Sequence, residues 1–176
     1  GHWPQGDGGQ RLCELMRRSQ EIFVDHPVNT RRQAAGCKPV SSIWLWGQGR
    51  RPAVPTIAER FGLSGVVISA VDLVRGLGVL AGLEIIEVPG ATGFLDTNYL
   101  GKAEYGLAAL REKDLLFLHV EATDEAGHMG AADKKVQALE DFDEKVVGTI
   151  LHGLKEFPEW KILLMPDHAT PVAIKT

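Results

Sequence analysis

No stretch of this 176-residue sequence has the run of about 18 apolar residues that a membrane-crossing helix needs. Nor does it open on the basic-then-apolar segment of a secretory leader. A membrane protein is therefore not expected. Cysteine is scarce: Cys13 and Cys37 lack metal-site spacing and read as free thiols in a reducing cytoplasm rather than as a disulfide. No charge of one sign dominates. The net charge is −4, with nine Lys and Arg against five Asp and Glu in residues 1–60, and ten against eighteen in residues 61–176. That acidic majority argues against a nucleic-acid surface. There is no internal repeat or low-complexity tract. There is also no initiator methionine, and the final "PVAIKT" is apolar without a charged tail. The expectation is a piece of a longer protein.

What is present suits a soluble globular domain, at 44% hydrophobic and 24% charged residues. Residues 9–24 show helical spacing. Residues 25–41 read as a long loop punctuated by Pro27, Gly36 and Pro39. "SIWLWG" (42–47) reads as a short buried strand. "TIAERFG" reads as a short helix with Thr56 as N-cap and Gly62 as its stop. Strands are expected at 65–70, 83–89, 114–121 and 161–167, and helices at 71–82, 99–112 and 131–157. The last helix has the clearest amphipathic pattern, through Val136, Leu139, Phe142, Val146, Ile150, Leu154 and Phe157. Apolar strands alternating with helices give a three-layer α/β fold, a largely parallel sheet covered on both faces.

Ligand crevices in such sheets lie at the carboxyl ends of the strands. Two expected strands deliver the same chemistry there. "LLFLHVEATDEAGHMG" runs from a strand into Asp124 and His128, whose spacing of four puts both on one side of a helical turn. "LLMPDHATP" runs from a strand into adjacent Asp167 and His168. Either pair alone can be explained without metal, as a cap or a solvated side chain. Together they suggest carboxylate-and-imidazole ligation of Mn²⁺, Zn²⁺ or Fe²⁺. Four ligands are few for two ions. The loop "WGQGRRP" offers Gln48, Arg50 and Arg51 as oxyanion contacts, with a turn of solvated arginines as the alternative. Arg75 is a further cationic candidate. Thr92, Thr97 and Asn98 are explained by turn chemistry. Of the other histidines, His119 reads as a packed or hydrogen-bonded residue inside a strand, His152 as exposed, and His26 and His2 as loop or terminal residues.

With "VEATDEAGHMG", "MPDHATP", "IWLWGQG", "VISAVDLVRG" and "VPGATGFLDTNY" read in this order, the chain resembles the archaeal-type cofactor-independent phosphoglycerate mutases, a branch of the alkaline phosphatase superfamily. The resemblance runs from about Gly8 to Thr176. It implies an alkaline-phosphatase-like fold, a small phosphorylated substrate, and interconversion of 3-phosphoglycerate and 2-phosphoglycerate through a phosphoserine intermediate. It implies two divalent metal ions, manganese first, with zinc, magnesium or cobalt as alternatives, and no organic cofactor. Asp124 and His128 would ligate one ion, and Asp167 and His168 would contribute to the other. The family's N-terminal Asp, its nucleophilic Ser, its last His and its inserted domain have no match here. Ser69 ends a strand but lies in the wrong segment for the nucleophile. A cytoplasmic enzyme is implied, of which this chain alone would be an inactive part, with a homo-oligomer left open. Two rivals remain at this point. One is a hydrolase of phosphate monoesters or phosphonates with nearly the same metal motifs. The other is a non-catalytic α/β binding module.

Overall fold

The computed structural model describes residues 3–47 and 49–175. They fall into two compact units, Gly1–Pro52 and Ala53–Thr176. Among the described residues, no helix is long and apolar enough to cross a membrane.

The first unit holds α1 (Gly9–Val24) and α2 (Pro27–Ala34). α2 replaces much of the loop expected at 25–41. Pro27 at the first helical position has no N–H to waste, and its fixed φ suits the helix. His26 caps it, its Nδ1 accepting from the Val28 N–H at 3.2 Å. The strand expected at 42–47 does not form. Side chains satisfy the backbone nearby instead. Buried Asn29 donates to the carbonyls of Phe23 and Val40 and accepts from the Val40 N–H. The Ser19 hydroxyl accepts from the Ile43 N–H at 3.0 Å and donates to the Met16 carbonyl at 2.7 Å. Among the described residues no strand lies beside this stretch, and Trp44 and Trp46 are exposed.

The second unit carries the sheet. α3 (Ile57–Phe61) opens it with a full capping box. The Thr56 hydroxyl accepts from the Glu59 N–H at 3.1 Å, and the Glu59 carboxylate accepts from the Thr56 N–H at 2.7 Å. Gly62 closes it at φ 68°, the left-handed region that glycine enters without penalty. Then follow β1 (Gly65–Ile68), α4 (Asp72–Leu80), β2 (Glu84–Ile85), α5 (Tyr99–Leu110) and β3 (Leu115–Leu118). The three strands are parallel, in the order β2-β1-β3. Central β1 is buried throughout, as an unbroken run of Gly and β-branched residues suggests. β2 is much shorter than the strand expected at 83–89.

Register assigns the faces. Val67 pairs with Ile85 and Phe117, so these three share one face. Val66 pairs with Leu116 on the other. α4 packs on the first face, where a Cβ on Gly78 would fall 2.5 Å from Val67. α5 packs on the second, where a Cβ on Gly106 would fall 2.6 Å from Leu116. Helices thus lie on both faces, with Phe117 of β3 left half-exposed beyond the reach of α4. β1 is the point at which the chain, having left to one side for β2, returns on the other for β3. Crevices in open α/β sheets form at such switch points.

Beyond β3 come α6 (Ala122–His128) and α7 (Ala132–Asp141), then a π-helical turn (Phe142–Gly148), α8 (Thr149–Gly153) and a final 3₁₀ turn (Leu154–Glu156). The π turn has a sequence cause. Phe142, Val146, Ile150 and Leu154 recur every four residues. A 3.6-residue turn would let them drift off the core face, whereas a locally wider turn keeps them there. Val146, Ile150 and Leu154 lie in one cluster with Tyr99, Ala103, Ala122 and Ala138. Residues 161–167, expected as the last strand, are not one. Leu163, Leu164 and Met165 are exposed, and among the described residues no strand runs beside them.

Candidate metal centre

Three residues separate the end of β3 from the start of α6, so α6 rises from the carboxyl edge of the sheet. Its single stretch of helix places Asp124 and His128 on the same side, with His128 Nε2 3.2 Å from Asp124 Oδ2. The segment 167–175 folds back over this helix. His168 Nδ1 comes within 4.0 Å of Asp124 Oδ1, and His168 Nε2 within 3.6 Å of Asp167 Oδ2. The two Asp-His pairs drawn from separate parts of the sequence therefore adjoin.

Hydrogen bonds determine which ring nitrogen each histidine presents. His128 Nδ1 lies 3.0 Å from the Lys175 carbonyl, which can only accept, so Nδ1 carries the proton. Thr170 donates its hydroxyl hydrogen to Asp124 Oδ1. Its oxygen then accepts from His168 Nδ1 at 3.2 Å. Both rings thus turn Nε2 toward a carboxylate oxygen. In each pair a nitrogen lone pair faces an anionic oxygen, an arrangement that calls for a cation between them, proton or metal. The pKa of His128 is raised, chiefly because its N–H is held by the Lys175 carbonyl. Desolvation opposes this, and the charges of Asp124 and Glu125 add to it. An imidazole whose far N–H is fixed by a carbonyl is also the usual condition of a metal-bound histidine. The donor set, carboxylate oxygen and imidazole nitrogen, suits Mn²⁺ or Zn²⁺. Among the described residues, no three His, Cys, Asp or Glu side chains are gathered closely enough to enclose an ion. The residues present fit two half-sites rather than a closed cage.

A second polar cluster, missed in the sequence, lies at the carboxyl ends of β1 and β3. Ser69 Oγ is 3.2 Å from His119 Nδ1 and accepts from the Val71 N–H at 3.0 Å. His119 Nε2 is 3.3 Å from Glu121 Oε2. His119 is thus hydrogen-bonded, just beyond the strand. Lys102 of α5 is fully buried, and its ammonium donates to the His119 carbonyl at 3.3 Å. Burial pushes its pKa down to about 8, with Glu121 acting in the opposite direction. In sequence Lys102 looks like a surface lysine in a mildly amphipathic helix. The only hint is its place among small residues, Gly101, Ala103 and Gly106, which let α5 approach the sheet.

The other candidates are placed as follows. Gln48 lies outside the described residues. Arg50 and Arg51 are exposed in the first unit. Arg75 is turned to Glu87 at 2.7 Å and Asp72 at 3.8 Å. Thr92, Thr97 and Asn98 do make turn and cap contacts: Thr97 Oγ1 accepts from the Thr92 N–H, and Asn98 Oδ1 caps α5 through the Gly101 N–H. His152 is exposed.

Comparison with known proteins agrees with a metal centre. The chain is 52% identical, over 99% of its length, to a 2,3-bisphosphoglycerate-independent phosphoglycerate mutase of Methanothrix thermoacetophila, of which it covers 45%. It is 50% identical over 98% of its length to the protein of the same name in Methanosarcina acetivorans, covering 44% of it. The chain thus spans under half the length of these relatives. A solved protein structure from Pyrococcus horikoshii superposes with a TM-score of 0.74 at 25% identity, over 96% of this chain and 45% of that one. The pattern of the metalloenzyme superfamily matches residues 16–176. With that match across most of its length, the chain belongs to the metalloenzyme superfamily.

Proposed function

We propose that these residues are the metal-binding part of a phosphoglycerate mutase that interconverts 3-phosphoglycerate and 2-phosphoglycerate through a phosphoserine intermediate. On this reading the domain is incomplete. The nucleophilic serine, an inserted domain and the remaining ligands lie outside these 176 residues. The observation that carries the proposal is the pair of Nε2-to-carboxylate contacts, 3.2 Å and 3.6 Å, in a chain about half identical to proteins of that name.

Asp124 with His128, and Asp167 with His168, would each hold a divalent ion, manganese first. Such ions, when bound, neutralise a phosphate dianion and lower the pKa of an attacking hydroxyl. The chain's own residues do the rest. The carbonyl of Lys175 and the hydroxyl of Thr170 hold both rings with Nε2 facing the ligand position. Lys102 keeps a buried cation beneath the strand ends, held by the His119 carbonyl. Gln48, Arg50 and Arg51 are the candidates for contacts to the glycerate carboxylate, and Arg75 would make one on release from Glu87. A small phosphorylated substrate in the cytoplasm, within glycolysis, completes the reading.

The test is ³¹P NMR of the whole protein with Mn²⁺ and 3-phosphoglycerate. The expected result is a 2-phosphoglycerate resonance at constant total ester phosphate. Accumulation of inorganic phosphate alone would make the protein a hydrolase. No change under any divalent ion would remove the enzymatic reading.

A further inference from the structure

One hydroxyl touches both Asp-His pairs. Thr170 is only 4% exposed, although its neighbours Asp167 and His168 are largely exposed. It donates to Asp124 Oδ1 and accepts from His168 Nδ1. We propose that Thr170 is a positioning residue common to both cation sites, setting the rotation of the Asp124 carboxylate and the tautomer of His168 at once. The inference rests on reading those pairs as cation ligands.

A carboxylate has two oxygens and a free rotation about its last bond. Tying Oδ1 to a hydroxyl stops that rotation and leaves Oδ2 beside His128 Nε2, 3.2 Å away. The same oxygen atom of Thr170 takes the His168 Nδ1 proton, which leaves the His168 Nε2 lone pair outward. A hydroxyl can do both because it is donor and acceptor together. Neither a methyl group nor an ammonium could. Asp124 and His168 are far apart in sequence, so this single group also registers segment 167–175 against α6.

Thr170 is itself held. Its carbonyl accepts from Lys135 Nζ of α7 at 2.7 Å. Its backbone lies so close to α6 that a Cβ on Gly127 would fall 2.6 Å from the Thr170 carbonyl oxygen. The glycine of the D-E-A-G-H run thereby has a physical purpose: it lets the strap bearing Thr170 lie flat against the helix that carries Asp124 and His128. Groups that orient metal ligands in this way typically change metal affinity by about 10- to 100-fold when removed.

The experiment is a Mn²⁺ titration of the whole protein that contains these residues, followed by the electron paramagnetic resonance signal of free Mn²⁺. Wild type, Thr170→Val, Thr170→Ser, Lys135→Met and Asp124→Asn are compared, with metal-free urea unfolding of each as the check on folding. Thr170→Val keeps the shape and loses the hydroxyl. Its dissociation constant is expected to rise about 10-fold or more, while Thr170→Ser, which restores the hydroxyl, stays near wild type. Lys135→Met removes the bond that holds the strap and touches no ligand. It should also weaken binding, and it decides the matter if Thr170→Val does not fold. Imidazole ¹⁵N shifts of His168 should report loss of the single Nδ1–H tautomer in Thr170→Val. Wild-type affinity in Thr170→Val, or in Lys135→Met if it stands alone, with binding lost in Asp124→Asn, overturns this inference and leaves the metal reading standing. Wild-type affinity in Asp124→Asn, or no saturable binding by the wild-type whole protein, overturns the metal reading and this inference with it.

Discussion

Replacing Lys102 by methionine should make the fold more stable at neutral pH. Lys102 has no exposed surface, and its pKa is pushed from the ordinary 10.5 down to about 8. At 1.36 kcal/mol per pH decade, the charged form costs about 3 kcal/mol more in the folded protein than in the unfolded chain. Methionine has nearly the same shape and no charge. Its introduction leaves the His119 carbonyl without the 3.3 Å ammonium donor, a loss of about 1 kcal/mol. The net gain expected at pH 7 is about 2 kcal/mol, or roughly 1 M in urea midpoint for an ordinary small domain. The pH dependence has a definite sign. The folded pKa is depressed, so between about pH 8 and 10.5 the unfolded chain keeps a proton that the folded protein has released. Wild-type stability therefore climbs relative to the variant across that window, and the advantage of methionine vanishes by its upper end. The assay is urea unfolding by far-ultraviolet circular dichroism at pH 7 and pH 10.5. A variant less stable than wild type at pH 7, or a difference that does not change with pH, would refute the reasoning. On the mutase reading, a cation retained at such cost serves activity, so the same substitution in the whole protein is expected to impair turnover.

Gly127→Ala places a methyl group 2.6 Å from the Thr170 carbonyl oxygen and 3.1 Å from Lys135 Nζ; a loss of about 1–3 kcal/mol in unfolding free energy is expected, and wild-type stability would contradict the close packing. His128 should titrate above its ordinary 6.5 in the metal-free chain, because the Lys175 carbonyl holds its N–H and Asp124 and Glu125 favour the cation. The stabilisation from this raised value is present below pH 6.5 and is lost as pH rises through the folded value; the imidazole proton also competes with Mn²⁺, so binding should tighten over the same rise, as NMR titration and metal binding at several pH values can check. Thr56→Ala removes half of the capping box on α3 and should cost about 1 kcal/mol by urea unfolding, with a change below a few tenths counting against the cap.

How much could be read in advance varied with the kind of signal. Local signals held: the β-branched run of β1, the Thr56 and Gly62 boundaries of α3, and the helical placement of Asp124 and His128. Pro27 was a helix start that looked like a loop marker, because proline gives the same punctuation in both settings. The apolar run at 161–167 has every property of a buried strand except a neighbour. Pairing is a non-local requirement, and no periodicity within the run can reveal that among the described residues no strand lies beside it. Residues 42–47 failed for the same reason, with Asn29 and Ser19 taking up nearby backbone groups instead. At the candidate site, the two Asp-His pairs, which the structure brings side by side, stood out because carboxylate and imidazole follow greasy runs. Lys102, Thr170 and the Ser69–His119–Glu121 chain were not. Their importance comes from burial and from partners many residues away, and a threonine or lysine in sequence carries no mark of either.

Diffraction from crystals of the whole protein soaked in Mn²⁺, recorded at the manganese absorption edge, tests most directly whether these pairs grip divalent cations. The expected result is anomalous density bonded to Asp124 Oδ2 and His128 Nε2, with a second peak against Asp167 and His168. Saturating manganese that leaves both pairs bare, or that settles elsewhere on the surface, would contradict the assignment.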